Sequence, residues 1–290
     1  MPQIKILLTG AELLQTETIY TELVAAGFST YLANSSALKG ELFVQIPEAS
    51  DVSFAHKMLK ICLDHDFKAL VPQLALEVDA LAPAKTLFSE YGISIICPDM
   101  NQWALISDKT ALFSFLQSKQ IAVPQTKLLE KQEDFAASML QLGYPSKKIK
   151  VSPLKALNEG DFRIVDDSVT VYNTLFPDFN NPLISYTQLS RIISAGNFPS
   201  LILSECINGT EFSFEAYFEN GKLISSTNTD ELVIQELAKG IAYLLDLSGS
   251  FEFSFTQTAQ AYCLTNLQPT TLNNPKDLVN LLNTELSKLD

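Results

Sequence analysis

The chain has 290 residues, 47% of them hydrophobic, enough apolar surface for more than one core. It carries 33 acidic against 20 basic residues, and a net charge of −13 argues against nucleic-acid backbones and anionic membrane surfaces as partners. Four scattered cysteines (Cys62, Cys97, Cys206 and Cys263) form no C-x-x-C pair, and the two histidines are His56 and His65, so a zinc site and histidine-based catalysis are both disfavoured.

In chain order, Met1 to Lys5 leads straight into a strand, without a secretory leader, and no apolar run reaches the length of a membrane span. The expectation is a soluble cytoplasmic protein with reduced thiols. Ile4 to Leu8 reads as a buried strand, Leu13 to Ala26 as a helix stopped by Gly27, and Phe28 to Leu32 as the next strand. Strand, helix, strand is the opening of a parallel α/β sheet. The turn Thr9-Gly10-Ala11-Glu12 has one glycine and a glutamate, which makes it a fold element and not a dinucleotide phosphate loop. Phe43 to Ile46 is a short strand. Val52 to Asp64 has Phe54, Met58, Leu59, Ile61 and Cys62 at helical spacing. Phe67 to Val71 is a strand closed by Pro72, Leu74 to Tyr91 a helix stopped by Gly92, and Ile93 to Cys97 a strand ended by Pro98.

Asp108 opens a helix over Thr110 to Ser118, and Asp134 to Leu142 reads as another, ended by Gly143. Tyr144 to Pro153 contains a strand on which Lys150 and Ser152 share a face. Leu154 to Phe162 follows with a single glycine, Gly160. Val169 to Asn197, punctuated by Pro177 and Pro182, holds a short helix near Leu189 to Ile193. Leu201 to Leu203 is a buried strand. Glu205-Cys206-Ile207-Asn208-Gly209-Thr210-Glu211 is a tight connection with two carboxylates. Phe212, Phe214 and Ala216 alternate with Ser213, Glu215 and Tyr217 up to an Asn220-Gly221 hairpin turn. Asp230 to Asp246 is a helix, Gly249 to Thr256 and Tyr262 to Leu267 are strands, and Pro275 to Leu289 is a closing helix.

The Leu201 to Ile224 stretch resembles the segment of ATP-grasp enzymes that lines the nucleotide base and ribose, although a plain hairpin with two solvated glutamates fits the same residues. The resemblance puts Glu205 and the backbone near Ile207 at adenine, and Glu211 at the ribose. The preceding words agree with it. Leu70-Val71-Pro72 with Glu77, Gly92-Ile93 with Pro98, Ser107-Asp108-Lys109, and Ile121-Ala122-Val123-Pro124-Gln125-Thr126 are similar to the domain and linker before the ATP-grasp core of carbamoyl-phosphate synthase large chains and their small relatives. Lys109 then stands where the family reaches a nucleotide phosphate; its other reading is a surface lysine at a helix start. Ser152 stands where the family has a second phosphate-binding lysine, with Lys150 and Lys155 as nearby substitutes. The flap that is glycine-rich in the family keeps only Gly160 here.

The family's magnesium ligands lie on the last two strands. By resemblance they fall on Ser254, Asn266 and Gln268, followed by Pro269 and Thr270, with Glu252 on the same strand face as Ser254. Neutral groups replace carboxylates there, and a hard cation beside a triphosphate favours carboxylate oxygens. The expected architecture is α/β and α+β: an ATP-grasp fold preceded by a Rossmann-like parallel domain, with 1–108, 109–200 and 201–290 as its three parts. The resemblance implies cofactor-binding residues Lys109, Lys150, Ser152, Glu205, Ile207 and Glu211, ATP as ligand, at most weak magnesium binding, and no residue assigned as a metal ligand. Two functions fit. One is a nucleotide- or small-ligand-binding protein with lost or weakened ligase activity, acting alone, as a homodimer or beside a partner ligase. The other is an active carboxylate–amine ligase forming an acyl phosphate with substitute residues.

Overall fold

The computed structural model describes residues 3–13, 16–36, 40–154, 162–170, 172, 182–226, 231–259, 261–269 and 275–287. Grouped by contacts, the chain forms two compact units. The first comprises Met1–Ala104, Phe214–Glu252 and Gln268–Asp290; the second comprises Leu105–Ser213 and Phe253–Leu267.

The first unit is built on a parallel sheet of β1 (Lys5–Leu8), β2 (Ser29–Asn34), β3 (Phe43–Gln45), β4 (Ala69–Val71) and β5 (Ser94–Ile95), in the order β3-β2-β1-β4-β5. This is the parallel α/β arrangement the sequence implies. Strand alternation decides which apolar group goes to which face. Leu7 and Leu70 pack with Phe54, Met58 and Cys62 of α2 (Phe54–His65). Ile6, Leu8, Ala69 and Val71 pack on the other face with Ile19 and Leu23 of α1 (Thr16–Ala25).

The single helix expected over Leu74 to Tyr91 is instead broken into α3 (Ala75–Leu81), a 3-10 turn at Ala82–Ala84, and α4 (Lys85–Glu90). Pro83 is the cause, because it has no N–H to continue the ladder and its ring crowds the preceding turn. Helix α5 (Met100–Ser107) precedes α6 (Lys109–Ser118), whose N-cap Asp108 accepts the N–H groups of Thr110 and Ala111.

In the second unit, β6 (Thr126–Leu129), β7 (Ile149–Pro153), β8 (Arg163–Val165), β9 (Leu183–Ile184) and β10 (Leu201–Glu205) form a sheet in the order β6-β10-β7-β8-β9. The pairings are antiparallel except β8 with β9. Ile149, Val151, Val165 and Leu203 point to one face. There they meet Phe135 and Met139 of α7 (Phe135–Gln141) and Leu189 and Ile193 of α8 (Tyr186–Ser194). The opposite face carries Lys150 and Ser152 of β7, with Ser204 and Ile202 of β10 across from them.

The remaining strands, β11 (Thr210–Glu219), β12 (Lys222–Ser226), β13 (Gly249–Gln257) and β14 (Tyr262–Pro269), have the order β12-β11-β13-β14. Asn220 and Gly221 both have positive φ, 48° and 71°, as the β11–β12 hairpin turn requires. Two helices complete the chain, α9 (Leu232–Leu244) and α10 (Pro275–Leu286). Leu278 and Leu282 of α10 join the Ile6, Leu8, Ile19 and Leu23 cluster of the first sheet. No helix among the described residues is long and apolar enough to cross a membrane.

Candidate functional site

Glu205 ends β10, and the sheet grips it on both sides. Its N–H donates to the Gln125 carbonyl (3.1 Å), and the next N–H, of Cys206, donates to the Lys148 carbonyl (2.9 Å). The side chain is 10% exposed. One carboxylate oxygen accepts the Gln125 N–H at 3.1 Å, and the other receives the Lys147 ammonium at 2.5 Å. Both oxygens of the proposed base-recognising carboxylate therefore already have an internal donor. The negative charge of Glu205 also reaches Cys263, whose thiol burial pushes up to about 11, with Glu205 adding to the rise.

Lys150 has a different environment. Its position on β7 is opposite Ser204 on one side and Ile164 on the other, so neither directly opposite residue offers it a carboxylate. Its ammonium lies over the Phe162 ring, 4.2 Å from the centroid. Among the described residues no hydrogen bond or ion pair reaches it. Burial holds its pKa below the usual lysine value, partly offset by the neighbouring Cys206 and Glu211. Glu211 is exposed at the start of β11, within electrostatic reach of Lys150 but not ion-paired with it. Ser152 lies two residues further along the same face, half-buried.

Lys148 is occupied elsewhere. It pairs with Asp166 at 2.6 Å, and this bond, with the Ser168 donors, holds the Asp166 carboxyl down at about 2. Ile207 is half-buried in the connection between β10 and β11. Gly209 in the same connection approaches so closely that an added Cβ would lie 2.0 Å from the Gln257 carbonyl oxygen. This is the physical reason for a glycine between the two glutamates. Lys109 is the first residue of α6, half-buried behind its Asp108 cap. Lys150 thus lies within electrostatic reach of Cys206 and Glu211, while Glu205 bonds to Lys147 and Gln125 and reaches Cys263 electrostatically.

Three partners were not anticipated from the sequence: Lys147 at Glu205, Phe162 at Lys150, and Cys206 beside Lys150. The cluster Lys147-Lys148-Ile149-Lys150 was the available signal, but it does not say which lysine meets which acid. Lys155, Gly160 and Thr270 lie outside the described residues.

Ser254, Asn266 and Gln268, where the resemblance puts metal ligands, lie on β13 and β14, with Glu252 on β13. Thr265 Oγ1 donates to the Ser254 carbonyl at 3.1 Å. The Gln268 amide donates to the Glu252 carboxylate at 3.0 Å. Magnesium takes carboxylate oxygens; Ser254 offers a hydroxyl, Asn266 an amide, and the Glu252 carboxylate is already engaged by Gln268. No group of three His, Cys, Asp or Glu side chains among the described residues is arranged to hold a metal.

No family model matches the chain, and no curated protein matches it. Solved structures do. The L-amino acid ligase from Bacillus licheniformis superposes with a TM-score of 0.66 at 12% identity, over 95% of this chain and 68% of that one. The D-alanyl-alanine synthetase A from Vibrio cholerae gives 0.64 at 14% identity, over 99% of both chains. The RimK domain ATP-grasp protein from Sphaerobacter thermophilus gives 0.59 at 15% identity, over 98% of this chain and 97% of that one. The chain has the ATP-grasp fold. Its backbone is similar to theirs across nearly its whole length, at identities that carry the fold alone.

Proposed function

We propose that this protein binds a nucleotide or a related small ligand and has lost or weakened ligase chemistry, in the manner of a decayed relative of carbamoyl-phosphate synthase-like ligases. Its working parts would be 1–108, 109–200 and 201–290, and it would act in the cytoplasm alone, as a homodimer or with an active ligase. The ATP-grasp fold supports a nucleotide as ligand, and so do Glu205, Ile207 and Glu211 in the connection between β10 and β11. Lys109, Lys150 and Ser152 would face the phosphate end.

The observation that carries the loss of chemistry is the Glu252–Gln268 hydrogen bond, with Ser254 and Asn266 at the neighbouring ligand positions. Phosphoryl transfer rests on positioning and on electrostatic stabilisation by metal and cationic groups. The neutral side chains of Ser254, Asn266 and Gln268, with one carboxylate already engaged at Glu252, do not balance a divalent ion and a triphosphate.

The test compares wild type with the triple variant Ser254→Glu, Asn266→Glu, Gln268→Asn by calorimetry with ATP, with and without magnesium, alongside ATP turnover. Wild type should bind ATP weakly, gain little from magnesium and turn over near background. The variant should gain magnesium-dependent affinity. Turnover of wild type with carboxylate and amine at ordinary enzyme rates, on the order of 1–1000 per second, would establish the active-ligase alternative instead.

A further inference from the structure

We infer that the ligand of this site is a nucleoside without a phosphate chain, and that Phe162 is the residue that sets this preference. The inference rests on the reading of Glu205 and Glu211 as base and ribose contacts. Lys150 is the cation on the sheet face that would meet a phosphate, and the Phe162 ring lies over its ammonium at 4.2 Å from the centroid. A phosphate oxygen needs to come within about 3 Å of that nitrogen, a distance the ring at 4.2 Å prevents from its own side. On the ring's side an anionic group must displace Phe162 and lose the cation–π contact, and the negative charge of Glu211, which reaches Lys150, also works against it. Lys147 and Lys148 are each paired with a carboxylate, Glu205 and Asp166 respectively, so within that lysine run the phosphate end is left to Lys150, with Lys109 of α6 as the further cation of the proposed site. Across the sheet, Ser204 and Ile164 stand opposite Lys150 and bring no further positive charge. A ligand that ends at the ribose brings no anionic group to Lys150 and so has no need to displace the ring.

The experiment is calorimetry with adenosine, AMP, ADP and ATP against wild type, Phe162→Ala, Phe162→Leu and Phe162→Tyr, with unfolding midpoints as a folding control. Wild type should bind adenosine most tightly and lose affinity with each added phosphate. Phe162→Ala should tighten ADP and ATP by roughly three- to ten-fold, the scale of one cation–π contact, and leave adenosine unchanged. Phe162→Leu keeps the apolar volume without the ring and should behave the same way, which preserves the test if the alanine variant folds poorly. Phe162→Tyr should match wild type. If ATP binds wild type at least as tightly as adenosine, or if removing the ring leaves the ATP-to-adenosine ratio unchanged, the inference is overturned while the nucleotide reading stands. If none of the four ligands binds wild type or any variant, both fail together.

Discussion

Glu77 shows how one buried acid is held in place and what that does to the stability curve. Its side chain is 3% exposed. One carboxylate oxygen receives the Thr9 hydroxyl at 2.5 Å and the N–H groups of Gln73 and Leu74, both at 3.2 Å. Burial raises its pKa, and those three donors offset only part of the rise. A raised folded-state pKa has a definite sign in the linkage relation. The contribution of Glu77 is fully present below its unfolded value, near 4.3, and is lost as pH climbs through the folded value. Glu77→Gln keeps an acceptor for the same donors and removes the titration. Its stability should therefore change less with pH above about 4, as read by urea unfolding at a series of pH values. A variant curve parallel to wild type would mean the carboxyl is ionised in the folded protein at little expense.

At the scale of elements, the connection between β10 and β11 depends on one missing Cβ. A methyl at Gly209 would sit 2.0 Å from the Gln257 carbonyl oxygen and 2.9 Å from Thr256 Cγ2. The first of these is backbone and cannot rotate away. Gly209→Ala should lower stability by about 1–3 kcal/mol. Asn208→Ala, at an exposed neighbour, should change it by less than about 0.5 kcal/mol. Denaturant midpoints of the two variants decide the matter.

Elements with strong local signals were legible in the sequence: the α2 stripe of Phe54, Met58 and Cys62, the Asn220-Gly221 turn, and the alternation of β11 up to the register shift at Tyr217 and Phe218. The Ser185 to Gln188 capping box was also written in the chain, and it starts α8 earlier than the apolar run near Leu189 suggests. Strands β8 and β9 were not legible, because three and two residues are too few to show a period. In the candidate site, the two glutamates and the lysine-bearing strand could be read from local words. The Lys147–Glu205 pair could not, since its members are 58 positions apart and meet only through the β7–β10 pairing.

On the scale of each unit, the first sheet is finished by a helix from the other end of the sequence. Leu278 and Leu282 are fully buried against Ile6, Leu8, Ile19 and Leu23. Truncating either to alanine removes a packed leucine and leaves a cavity that the strands of a sheet fill poorly. Leu278→Ala and Leu282→Ala should each lower stability by roughly 2–5 kcal/mol. If α10 only rests loosely on the sheet, both will fall well below that range in thermal or urea unfolding.

That long-range closure has a consequence for synthesis. The five strands of the first sheet are complete once Ile95 has emerged from the ribosome, but one of its faces still lacks Leu278 and Leu282. Translation proceeds at about 5–20 residues per second, so that apolar face stays uncovered for on the order of ten seconds or more. During that interval the nascent chain presents Ile6, Leu8 and Val71 beside α1 with no cover from α10. It should be a client for a holding chaperone until the last helix arrives.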